Sequence, residues 1–69
     1  MFQEYQIVVE SGRGDRAALL LMGAGFEVYD CVEAFIGDVI DGFIQSDEPF
    51  DPQAFLWEHG IHCPLAEAL

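Results

Sequence analysis

An α+β fold in one small domain follows from three features of the sequence. A β-branched run, YQIVVES, lies near the N-terminus. Apolar residues recur at three- and four-residue intervals through the middle. A proline-opened segment, DPQAFLWEHG, follows them. Sixty-nine residues provide for a single domain, 1–69, and a chain this short buries only about 60% of its unfolded surface. Hydrophobic residues make up 52% of it, nine of them aromatic, which is too apolar for a disordered acidic tail.

Residues 5 to 11 read as a strand from their Ile-Val-Val centre and their stop at SGRGD. The next stretch, DRAALLLMGAG, has two readings. Ala, Leu and Met favour a helix, with Asp15 available as a cap and Gly23 and Gly25 available to end it. SGRGD is equally a hairpin loop, which would make residues 16–22 a second antiparallel strand, and a greasy strand is easier to bury here than a two-faced greasy helix. FEVYD, 26 to 30, alternates as a further strand.

Val32, Phe35, Ile36, Val39, Ile40, Phe43 and Ile44 predict an amphipathic helix over about 31–45. SDEPFDP breaks it. Asp51 as N-cap and Pro52 at the first helical position open a second helix, about 52–59, which stops at Gly60. Pro64 begins a short C-terminal turn, PLAEAL. The sequence has no internal repeat, linker or low-complexity tract.

Charge narrows the function classes. Thirteen Asp and Glu stand against two Arg and no Lys, a net charge of −11. Such a field repels nucleic acid and anionic membranes and attracts basic proteins. The longest apolar run, residues 17–26, is too short for a bilayer, which needs about 20 residues. The N-terminus lacks the basic and apolar regions of a signal peptide, and two cysteines are too few for a disulfide framework. These features point to a cytoplasmic protein.

On the expected helix, Asp30, Glu33 and Asp41 fall near one line with Asp38 beside it, and Asp47, Glu48 and Asp51 extend the negative surface. Carboxylates at one-turn spacing imitate a row of phosphates approximately, and no cation balances them. The plain alternative is a solvated face that keeps an apolar protein soluble. Phe55 and Trp57 are aromatic anchor candidates, because Phe55, Leu56 and Trp57 are consecutive on one helix and cannot all point inward.

Other patterns are weaker. Cys31, His59, His62 and Cys63 have the donor chemistry for zinc but not the spacing of a zinc signature. Gly12, Gly14 and Ala17 after a strand, with Asp30 further on, match a dinucleotide-binding fingerprint, yet the chain is too short for the rest of that sheet. Arg13-Gly14-Asp15 is a tripeptide that recurs by chance. No catalytic triad or dyad announces itself.

The expected function is therefore that of a non-enzymatic, cofactor-free interaction protein. It would block a basic, nucleic-acid-binding partner by presenting carboxylates where phosphates would sit. In size and charge it is similar to the small acidic inhibitors of phages and mobile elements, including anti-CRISPR and anti-restriction proteins. An antitoxin-like or adaptor module using apolar anchors and a small metal-binding domain are the alternatives. A homodimer is compatible with each, since so small and apolar a chain has surface to hide.

Overall fold

β-Branched residues set the first strand. β1 (Phe2–Val9) passes through Ile7, Val8 and Val9 and ends where Ser11 to Arg13 turn the chain. The structure is a computed structural model that describes residues 1–69.

The ambiguous run that follows is a helix, α1 (Gly14–Gly23), so the hairpin reading of residues 16–22 is overturned. Gly14, Ala17, Ala18 and Leu21, three and four apart, form its buried stripe. Leu19 and Met22 stay exposed, so the helix never has to be buried on both sides. It ends at Gly25, φ +100°. The Gly25 N–H donates to the Met22 carbonyl at 3.0 Å and the Phe26 N–H to the Leu21 carbonyl at 2.9 Å. This Schellman closure places Phe26 in the core.

The helix expected over 31–45 is a β-hairpin instead: β2 (Glu27–Ala34) and β3 (Gly37–Gln45), antiparallel, joined by Phe35-Ile36. The three- and four-residue apolar spacing arises because β3 carries apolar residues on both faces, Ile40 and Ile44 on one and Val39 and Phe43 on the other. Two glycines are required by close packing. A Cβ on Gly37, φ +139°, would run into the Val9 carbonyl, and one on Gly42 would meet the Phe26 ring at 2.6 Å.

α2 (Pro52–Glu58) forms as its sequence predicts. The Asp51 carboxylate accepts the Ala54 N–H at 3.1 Å, and Pro52 occupies the first turn. Gly60, φ +77°, closes the helix with the same pair of bonds as in α1, and Ile61 enters the core as Phe26 does. The expected C-terminal turn is a fourth strand, β4 (Leu65–Ala68), because its backbone pairs with β1.

The sheet order is β2-β3-β1-β4 and every neighbouring pair is antiparallel. β1 and β2 are therefore parallel to each other with β3 between them, linked by α1. β3 and β4 stand in the same relation around β1, linked by α2. Two interleaved split β-α-β units make the βαββαβ plait of the ferredoxin-like type, an α+β fold in one domain. Ile7, Val9, Ile40 and Ile44 pack against Ala17, Ala18, Leu21 and Leu56, so both helices cover one face of the sheet. The other face has no layer over it.

One polar contact ties the two layers. Asp38, on central strand β3, is 6% exposed. Its Oδ2 accepts the N–H of Gly14 at 2.8 Å and of Gly12 at 3.1 Å. α1 has no cap from its own N-cap residue, Arg13, so a carboxylate from the sheet does that work, favoured by the positive end of the helix. Asp38→Ala is expected to cost about 1–3 kcal/mol, a fall of roughly 4–8 °C in Tm per kcal/mol for a domain this small. Asp38→Asn, which keeps an acceptor, is expected to lose less; thermal unfolding followed by circular dichroism checks both.

Candidate partner-binding face

The uncovered face is organised by register into bands that run across the strands. Opposite residues in paired strands share a face, so Asp30, Asp41, Gln6 and Glu67 form one row across β2, β3, β1 and β4. On one side of it, Val32, Val39, Val8 and Leu65 form an aliphatic row. On the other, Glu27, Phe43 and Glu4 lie in line. Tyr29 and Phe2 flank Phe43, with ring centroids 5.4 Å and 4.9 Å from it.

A register shift between Val28 and Asp30 makes this possible. The bulge lets Val28 pack on the core while Tyr29 meets Phe43 and Asp30 still faces Asp41. Partial desolvation, then the negative field of Glu4 and Glu27, pushes the Tyr29 phenol above its ordinary value. Five of the thirteen acidic residues (Glu4, Glu27, Asp30, Asp41 and Glu67) stand on this face. Both arginines lie across the molecule, at the start of α1.

The residues singled out from the sequence separate under this geometry. Asp30 and Asp41 come together as a directly opposed pair. Asp38 does not join them: it is buried under α1 and its carboxylate is engaged, so it is withdrawn as a partner contact. Glu33 pairs with Asp38 across the strands and lines a small cleft with Gly12, Asp15 and Cys31. Asp47 and Glu48 are exposed in the β3–α2 loop, and Asp51 is the cap of α2. Trp57 is 68% exposed, whereas Phe55 packs against the core and stacks on His59 at 4.6 Å.

The sequence reading missed Glu4, Glu27 and Glu67 and the aromatic line. Phe2, Glu4 and Gln6 at two-residue spacing were the available signal, since alternate residues of a strand share a face.

Cys31, His59, His62 and Cys63 do not converge, and no three His, Cys, Asp or Glu side chains gather closely enough to hold a metal. Both thiols are free. Burial, then Asp15, Asp38 and Asp30, pushes the Cys31 thiol up; burial is the main cause for Cys63. The glycine loop after β1 does lead into a helix as the fingerprint requires, but the Gly12 and Gly14 amides that would cradle a phosphate are already held by Asp38. No helix is long and apolar enough to cross a membrane. No protein-family model matches the chain, and searches of curated proteins and of solved structures returned no significant match.

Two outcomes follow from these surroundings. Like charges directly opposite in a sheet destabilise by a few tenths of a kcal/mol to about 1 kcal/mol, so Asp41→Asn is expected to raise Tm at low ionic strength, with a smaller gain as salt screens the pair. Neutral, buried Cys63 favours the folded state below the free-thiol pKa of about 8.5. Because its folded value is raised, that contribution is lost as pH climbs through it. In alkylation at pH 8, Cys31 is expected to react more slowly than in urea-unfolded protein, and Cys63 only on unfolding.

Proposed function

We propose that this protein is a non-enzymatic acidic interaction protein that occupies a basic, nucleic-acid-binding surface of a cytoplasmic partner and excludes nucleic acid from it. The observation that carries this reading is the uncovered sheet face, with five carboxylates and neither arginine. Four-stranded sheets of this kind bind single-stranded RNA through aromatics that stack on bases. Here Phe2 and Phe43 lie on the two central strands, but carboxylates surround them. Phosphate is repelled from such a face, and a cationic surface built for phosphate is attracted.

Asp30, Asp41, Glu4, Glu27 and Glu67 are the proposed contacts; Glu33, Asp47 and Glu48, which lie off this face, add only to the overall negative field. The inhibitors of phages and mobile elements are the type of protein this resembles in charge and size. A second reading, an adaptor docking through apolar anchors, is favoured by the full exposure of Phe35 at the hairpin tip and by Trp57.

Gln6 offers a sharp test. It sits between Asp41 and Glu67 in the acidic row and is exposed. Gln6→Lys would pair with both neighbours, so the free protein is expected to gain a few tenths of a kcal/mol. Immobilised protein is challenged with host proteins pre-selected on phosphocellulose. The expected result is a captured nucleic-acid-binding protein that is released by added DNA or RNA and by about 0.5 M NaCl, and is no longer retained by Gln6→Lys or by Asp30→Asn with Asp41→Asn. Capture that survives high salt and these variants, and is lost instead in Phe35→Ala or Trp57→Ala, would replace this reading with the adaptor one.

A further inference from the structure

Resting on that reading, we infer that the element of the partner seated on this face is an α-helix laid across the strands, with a stripe of Lys or Arg over the acidic row and an apolar stripe on either side. The spacings of the sheet and of a helix match. Neighbouring strands are about 4.8 Å apart, so Asp30, Asp41, Gln6 and Glu67 span about 14 Å in three steps of the sheet. Residues three and four apart on a helix recur about every 5.4 Å. The misfit of about 0.6 Å per step is well within the reach of long basic side chains.

Along the strands, rows of one face are about 6.8 Å apart. The aromatic line through Phe43 and the aliphatic row through Val39 therefore stand about 14 Å apart with the acidic row midway. A helix with its side chains is about 10–12 Å across. It would settle between the aromatic and aliphatic bands, meeting Tyr29, Phe43 and Phe2, with Glu27 and Glu4 on either side of Phe43, on one flank and Val32, Val39 and Leu65 on the other.

Charge and shape exclude the other occupants. A second copy would bring carboxylates against carboxylates. An extended segment repeats on one side about every 6.8 Å, which drifts from the row by about 2 Å at each step, and it offers no flanking apolar stripes. A helix that reads nucleic acid carries the required basic stripe, since such helices lie against phosphates in the major groove.

The test uses two synthetic peptides of about four helical turns and one composition. One has Arg every three or four residues between two Leu stripes, and the other has the same residues shuffled. Binding is followed by fluorescence anisotropy at low salt, and the contact surface by amide chemical shifts of the folded protein. The striped peptide is expected to bind at least about tenfold more tightly, a difference of 1.4 kcal/mol, to gain helicity on binding, and to move the amides of Asp30, Asp41, Gln6 and Glu67 together with Val32, Val39 and Phe43. Asp41→Asn and Glu67→Gln are each expected to weaken it several-fold. Equal binding of the shuffled peptide at the same face overturns the helix but leaves the acidic-face reading standing. Shifts confined to α1 and α2 overturn both.

Discussion

The carboxylate of Asp38 sits where the first turn of α1 would otherwise bury unpaired amides, and most of the architecture hangs from that contact. A helix N-terminus needs acceptors for its free N–H groups, and here they come from the central strand rather than from the capping residue. The bond fixes the start of α1 over β3, and α1 in turn carries the chain from β1 across β3 to β2. Gly14 belongs to the same constraint, because a Cβ there would lie 2.7 Å from the Asp38 side chain. The loop SGRGD thus has the glycines of an anion-binding loop for the same physical reason, close approach of a negative group to backbone amides. The anion is part of the chain.

This explains what could and could not be read from the sequence. β1 and α2 were legible because their signals are local: a β-branched run in one case, Asp51-Pro52 and Gly60 in the other. The hairpin of β2 and β3 was not, because β3 is apolar on both faces, and residues 39, 40, 43 and 44 then imitate a helical stripe. Gly37, Gly42 and the β-branched residues between them were the contrary signal. They outweigh periodicity, since glycine weakens a helix interior by about 1 kcal/mol while a strand accepts it where another backbone or ring comes close. Asp38 was misread for a related reason. A buried carboxylate and a solvated one look alike until the amides that it satisfies are placed, and those lie 24 and 26 residues away.

The acidic face follows from a sheet that is covered on one side only. Two short helices cover one side of a four-stranded sheet and leave the other side open. That side must then hold enough polar residues to stay in water while keeping a strand's preference for aromatic and β-branched side chains. Banding reconciles the two demands, with Asp30, Asp41 and Glu67 in one row, aliphatic groups in the row on one side, and aromatics flanked by Glu27 and Glu4 on the other. One of the two outer edges is guarded as well: β2 carries Glu27, Asp30 and Glu33 and a bulge, all of which discourage another strand from pairing there.

Solubility alone accounts for acids on this face but not for their arrangement. Asp30 directly opposite Asp41 is an unfavourable neighbour pair, and a solubilising surface is under no constraint to place it there. Gln6 lies in the same row, between Asp41 and Glu67, with space and exposure for a lysine that would relieve both. A neutral amide at this position keeps the strand soluble and leaves the field uncompensated. A domain with so small a core gives up stability by doing so, a loss that cations lying over the row would offset.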